Sequence, residues 1–386
     1  FILQGFFAWR LVSLLALPTV SSLLAVIIFV FSPVLFWRVG MHAALVAHWV
    51  ILAGLYLNFK SLGLSPSSSS SLLRRLYCWM PLLIASCLIH FYLLTMVLGL
   101  WIASLLDSIR NNRLLIVKQA PRDQIKHGLT SFLSEAAIIF SLTIFTMWMA
   151  GYFVVSSSAT TTLSYGISRM NLLAPFDPHS WSYMLPNLPD VQGNISDVDM
   201  TARSYENFMF LGLGALILMI LAFALCLKGA WQLNQQTVHP ARAQIQWREH
   251  VALYAVLMIF TAFAASNQLA LGAWSWSFDL PQLLYQLASM YRASSRFFWP
   301  AFYGLIFFSI ASVSARWPTK STMIILGACA LLQIVDTSRG WLGIRVLTMR
   351  PLKANLASEL RDPFWDAAAS HYSKIVRIPV DPQWVK

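Results

Sequence analysis

Long apolar stretches dominate the chain, and its polar positions come in brief clusters between them rather than in alternation. Windows of about 18 or more predominantly apolar residues recur along most of its length, each long enough to cross roughly 30 Å of hydrocarbon as a helix. Strands of a membrane barrel would show a short dyad repeat, so the helix is the spanning form that satisfies the backbone here. The pattern predicts an all-α membrane protein built as a polytopic helical bundle.

Two short stretches are strongly basic: "KSLGLSPSSSSSLLRR" over 60–75, and the segment from Arg110 through Arg113, Lys118 and Arg122 to Lys126. Cytoplasmic loops carry such an excess, which places both on the inner side. The apolar material between them must then cross the membrane an even number of times. Residues 76–107 are too many for one upright helix, so a pair turning near "LIHFY" is expected, with His90 at its outer edge. With Arg10 also inside, 19–59 forms a second pair that turns at "SPVLFWRVGMH". Segments 131–155, 207–227, 249–267, 297–315 and 320–336 then alternate in direction, and the total is about ten spans with an extracytoplasmic C-terminus.

This parity leaves loops 156–206 and 268–296 on the outside. The first is acidic, with Asp177, Asp190, Asp197, Asp199 and Glu206 against Arg169 and Arg203. Its prolines at 175, 178, 186 and 189 restrict the backbone and predict an ordered loop. Asn194-Ile-Ser within it is a formal glycosylation sequon. The serine run at 67–71 reads as a flexible linker. The bundle domain is set at 1–340 and an extracytoplasmic tail at 341–386, where "RDPFWDAAASHYSKIVRIPV" suggests an amphipathic helix and a β-rich stretch, the start of a small α/β unit.

Composition agrees with this frame: of 386 residues 58% are hydrophobic and 11% charged, and mean hydropathy is +0.63. The net charge of +12 would suggest a nucleic-acid partner in a soluble chain, but here it records basic loops, and no nucleic acid is expected. Cys78, Cys87, Cys226 and Cys329 lie in or beside apolar runs, so they read as small buried hydrophobes. The chain opens on Phe1 inside an apolar stretch, and its tail ends early in the α/β unit. Further sequence is therefore expected at both ends.

The polar residues of the spans collect at the predicted outer ends. Arg38, His42 and His48 lie at one turn, His90 at another, Arg292 and Arg296 before a third span, and Asp336 with Arg339 at the last. Charge at such positions either lines a cavity or reaches the interface. Arg38 is read both as an interfacial anchor and as a cavity residue, and His90 both as a turn former and as a ligand contact. His42 and His48 stand six apart, unsuited to chelating one metal from a helix, so no metal site is expected. Asn171 and Asp177 of the outer loop join the cavity-lining set, with the start of a turn as the second reading of Asp177. Glu135 is accounted for by the positive end of its helix.

Arg292 and Arg296 stand at i, i+4, so a helix would put them on one face beside Tyr291 and Ser295, directly ahead of "FFWPAFYGLIFF". Two guanidiniums at a helix N-terminus are unfavourable without an anion, and a phosphate or pyrophosphate suits them. The other reading is interfacial contact with lipid headgroups.

"LQGFFAWRL", "HAALVAHWVILAGLYL", "LIHFYLLTMVLGLW", "MNLLAPFDP", "YENFMFLGLG" and "YRASSRFFWPAFY" occur in order along the chain. Together they resemble a poorly characterised family of bacterial multi-pass inner-membrane proteins, a domain of unknown function grouped with the C-type (GT-C) polytopic glycosyltransferases. The resemblance implies a GT-C-like fold in the inner membrane and transfer of a sugar from a polyprenyl-phosphate donor to an extracytoplasmic acceptor. It also implies a catalytic carboxylate in the first external loop, expected upstream of Phe1. Arg292, Arg296, Tyr291 and Ser295 would receive the lipid phosphate; Arg38, His42, His48, His90, Asn171, Asp177 and Asp336 would line the cavity. Two other functions share these features: a transporter or flippase of lipid-linked glycan, and a non-catalytic membrane scaffold.

Overall fold

A computed structural model describes residues 1–39, 42–60, 69–116, 122–154, 165–189, 191, 205–231, 245, 247–348 and 362–373. Its helices are α1 (Ile2–Val12), α2 (Thr19–Val30), α3 (Pro33–Trp37), α4 (Trp49–Phe59), α5 (Ser69–Ile89), α6 (Phe91–Ile116), α7 (Arg122–Met149), α8 (Leu213–Trp231), α9 (Val251–Ala265), α10 (Gln282–Ser289), α11 (Trp299–Arg316), α12 (Thr319–Thr348) and α13 (Pro363–His371). One antiparallel hairpin joins them, β1 (Gln268–Leu271) with β2 (Trp274–Ser277), in the register Gln268↔Ser277.

Six segments are long and apolar enough to cross a membrane: Thr19–Trp37, Leu72–Ile89, Phe91–Asn111, Thr130–Met149, Ser294–Arg316 and Thr319–Arg345. Four shorter apolar helices, Ile2–Leu15, Ala43–Phe59, Leu213–Leu227 and Val251–Ala265, pack among them. The protein is thus a mostly helical membrane protein. α7 has the most open window, 28% buried, and exposes Leu133, Phe140, Ile144 and Trp148 along one side. That stripe is the surface a helix presents to lipid. The segment containing α11 is 83% buried and lies against α4, α8, α9 and α12, so it forms the axis of the bundle.

The chain runs between two ends. One is basic: Arg10 Nη2 donates to Tyr56 Oη at 2.7 Å, and Arg110 Nη1 to the carbonyl of Arg248 at 3.0 Å. Arg316 donates to the carbonyl of Leu225 at the same end. The other end carries Phe1 packed on Phe36 and Phe31 on Trp341, together with loop 165–189, the hairpin and α10. Helix breaks fall where parity requires them. His90 alone separates α5 from α6, and α3 with a short 3-10 turn, Ala43–Val46, reverses the chain between α2 and α4.

Several expectations change. Glu135 does more than sit at a helix end: it is buried, accepts from Arg75 Nε at 2.7 Å and from Trp101 Nε1 at 2.9 Å, and ties α5, α6 and α7 together. Ser69–Ser71 begin α5, so the later part of the serine run is helical rather than a linker. Loop 268–296 holds the hairpin and α10. α12 passes through the boundary set at residue 340 and ends at Thr348. α13 is the helix expected in the tail, capped by Asp362 Oδ1, which accepts from Phe364 N at 2.9 Å. The β-rich stretch after it, Lys118, Asp190, Asp197, Asp199, Arg203, Arg242 and the Asn194 sequon lie outside the described residues.

Candidate functional site

At the end opposite the basic one, a single carboxylate gathers two arginines from distant parts of the chain. Pro33 at the first turn of α3 sets the short helix that ends at Trp37. Trp37 docks the incoming segment 205–208: its Nε1 donates to Tyr205 O at 2.8 Å, and its ring stacks on Phe208 at 4.4 Å and on Tyr205 at 5.4 Å. Arg38, the next residue, is fully buried between the rings of Tyr205 and Trp299, at 4.8 and 5.4 Å. Its Nη1 donates to Glu206 Oε2 at 3.0 Å.

Arg296 approaches the same carboxylate from the other side. Its Nε donates to Glu206 Oε2 at 2.9 Å and its Nη2 to Oε1 at 2.5 Å, a two-pronged pair of the strongest kind. The guanidinium lies over the Tyr92 ring at 4.7 Å. Ser294–Phe298, a 3-10 turn that carries Arg296, is fixed through Ala293 N, which donates to Tyr92 Oη at 2.8 Å, and Ser295 N, which donates to Ser168 O at 3.1 Å. Ser295 Oγ donates to Glu206 O at 2.8 Å. His42 completes the rim with Nε2 3.9 Å from Oε1, and its side chain is 45% exposed.

Two guanidiniums against one carboxylate leave this cluster one positive charge in excess. Burial alone would push the Glu206 carboxyl upward, but the hydrogen bonds from Arg296 and the charge of Arg38 outweigh it and hold it below its usual range. Burial, and next the charge of Arg296, push His42 below the ordinary histidine value. The same two causes push His90 down to about 4. Both imidazoles are therefore neutral near pH 7 in a site that already favours anions.

The structure divides the residues expected at a site. Arg38, His42, Arg296 and Ser295 come together around Glu206. Arg292 does not share a helical face with Arg296: it sits exposed in a bend ahead of the 3-10 turn, and α11 starts only at Trp299. Tyr291 bonds Thr95 Oγ1 through its hydroxyl at 2.8 Å and stacks on Phe91 at 5.2 Å. His90 Nδ1 accepts from Tyr92 N at 3.2 Å, which makes it the cap of α6. His48 lies behind Trp299, 4.1 Å between ring centres, with Nδ1 2.8 Å from Tyr303 Oη; that hydroxyl also meets Ser32 and Gln4.

The remaining three hold the loop in place. Asn171 donates to Gly272 O at 3.0 Å and accepts from Gly272 N and Leu173 N, which uses both ends of its amide. Asp177 Oδ1 accepts from Leu188 N at 2.9 Å. Asp336 Oδ1 accepts from Ser182 Oγ, Tyr183 N and Met184 N at 2.7, 2.9 and 3.0 Å, fastening the loop to α12. Among the described residues no three His, Cys, Asp or Glu side chains come together as a metal site.

Sequence reasoning passed over Glu206, Tyr92 and Tyr205. The available signal was charge bookkeeping: two arginines at apolar helix ends need a counter-ion, and Glu206 is the acid that stands directly before a predicted span. No curated protein and no solved structure matches the chain. Residues 1–338 match the family described as Domain of unknown function (DUF6311), and the chain belongs to that family.

Proposed function

We propose that this chain is an integral membrane glycosyltransferase of the C type, which moves a sugar from a polyprenyl-phosphate donor to an extracytoplasmic acceptor. In this reading all ten apolar helices cross the bilayer, the basic end faces the cytoplasm, and the Glu206 end faces outward with the C-terminus. The observation that carries it is the excess positive charge of the Arg38–Glu206–Arg296 cluster beside exposed Arg292 and His42.

As the bond between the sugar and the lipid phosphate breaks, negative charge grows on the departing phosphate. Preorganised guanidiniums stabilise that state more than the ground state. Arg292, exposed and mobile in its bend, meets the phosphate first. Glu206 engages Nε and Nη2 of Arg296 and so orients the remaining Nη1; it is a positioning residue. An acceptor hydroxyl attacks the anomeric carbon and gives its proton to a base. No described buried acid is assigned that task, because each is engaged elsewhere: Asp107 accepts from Ala252 N and Leu253 N, and Glu135, Asp177, Glu206 and Asp336 are bonded as above.

The test uses a polyprenyl-phosphate monosaccharide labelled in its sugar, in vesicles that hold the full chain and envelope material as acceptor. Label should leave the lipid phase, and Arg292→Ala should slow it by about tenfold or more, the worth of one charge-assisted contact, with an unchanged melting temperature. Label that stays lipid-bound with the wild-type chain would sink the transferase reading. Movement of the intact lipid across the bilayer would replace it with transport.

A further inference from the structure

The hairpin and α10 turn an apolar face outward that nothing in the described residues covers. Trp274 is 68% exposed and Leu283 67%, and Trp276, Phe278, Leu284 and Leu287 are also exposed. From 268 to 291 the sequence contains one charged residue, Asp279. α10 buries only Ala288 and Ser289 among its residues, the reverse of a helix that packs its apolar side inward.

The element is nonetheless held firmly from its polar side. Phe278 N donates to Asn267 O at 3.0 Å, and Asn267 Nδ2 donates back to Phe278 O at 2.9 Å. Asn171 fixes the Gly272 turn, and Tyr165 N donates to Ser289 Oγ at 3.3 Å. A rigid support with an uncovered apolar side is built to be covered by something outside the fold.

Its place selects the occupant. β1 follows directly on α9, and the membrane-length Ser294–Arg316 segment begins just after α10. The element therefore sits at the height where membrane helices end. Phe91 stacks on Tyr291 and also meets Tyr152 at 5.9 Å, beyond α7, where Trp148 and Phe153 are exposed. The uncovered face thus continues the lipid-facing surface of the bundle. Tryptophan favours that boundary, and Arg292, exposed directly after Met290 and Tyr291, supplies charge for phosphate headgroups at the same level.

We propose that residues 268–290 form a rigid foot seated in the headgroup–acyl boundary of the bilayer at the Glu206 end, covered by the lipids of that leaflet. The inference does not depend on the reaction proposed above.

The full chain in phosphatidylcholine vesicles tests it through fluorescence. The emission lost in a Trp274→Phe, Trp276→Phe double variant isolates these two indoles from the other tryptophans. Lipid brominated near the headgroup should quench that difference emission by about half or more, with acrylamide in the water and lipid brominated at the chain ends quenching less. Quenching by acrylamide alone would overturn the foot. An independent arm places p-benzoylphenylalanine at Leu284 and leaves the tryptophans intact. On irradiation the adduct should be lipid, whereas an adduct to a second copy or to another protein would overturn the proposal.

Discussion

Glu206 shows how much one residue can hold. Arg38 has no exposed surface, and its Nε and Nη2 have no hydrogen-bond partner among the described residues, so its charge depends on this carboxylate and on two aromatic faces. Removing one member of a buried ion pair strands the other, at a cost of about 3–5 kcal/mol. Glu206→Ala should lose that much in denaturant unfolding from detergent, and Glu206→Gln, which keeps the shape and one acceptor, should lose less. The pH dependence follows from the depressed carboxyl: folding favours its ionised form. The stabilisation is complete above the ordinary value of 4.5 and is lost as the pH falls below it through the folded value. Glu206→Gln should flatten that acid arm of the stability profile; an arm of unchanged slope would assign the acid sensitivity to other groups. The two arginines were legible as an anion site from their spacing and surroundings. That the anion is a side chain of the same molecule was not, because Glu206 stands 90 positions from Arg296 and no local pattern links them.

Elements were legible where a polar group had to interrupt an apolar run. His90 and the Ser32–His48 turn are such places, and both breaks fall there. The hairpin was missed although "WSWS" is a dyad alternation, because the stretch was assigned as loop by parity before its own period was weighed. Close helix contacts were not legible at all, since a glycine in an apolar run does not announce its neighbour. Gly214 at the start of α8 is the sharpest case: a Cβ there would lie 2.0 Å from the backbone oxygen of Cys329 on α12, and backbone cannot swing aside. Gly214→Ala should force the two helices apart and cost about 1–3 kcal/mol. Gly343 on α12 provides the control, because a Cβ there meets nothing within 4 Å. Gly343→Ala should be neutral or stabilising by up to about 1 kcal/mol from helix propensity alone. Equal unfolding midpoints for the two variants would remove close packing as the reason for Gly214.

At the scale of the molecule, the division into two ends was legible and the interior arrangement was not, for one physical reason. Lipid and protein interior are equally apolar, so the sequence of a spanning helix does not say which it faces. Thr130–Met149 and Ser294–Arg316 have the same mean hydropathy, 1.6, yet 28% of one window and 83% of the other is buried. Charge does distinguish the ends. Arg10, Lys60, Arg75, Arg110, Arg248, Arg316 and Lys320 fall at one, while Asp177, Glu206, Asp279 and Asp336 fall at the other. Translocation leaves basic loops behind in the cytoplasm, so this asymmetry fixes an orientation. The prediction is made with single cysteines in a chain whose Cys78, Cys87, Cys226 and Cys329 are replaced. Asn187→Cys, exposed on the loop that Asp336 fastens, should react with a membrane-impermeant maleimide on intact cells. Lys320→Cys, exposed at the start of α12, should react only after the membrane is permeabilised. The reverse pattern would invert the protein and put the Arg38–Glu206–Arg296 cluster on the cytoplasmic side, where an extracytoplasmic acceptor could not reach it. Labelling of both positions from one side would break the parity of ten crossings and require one of the four short apolar helices to stop within the bilayer.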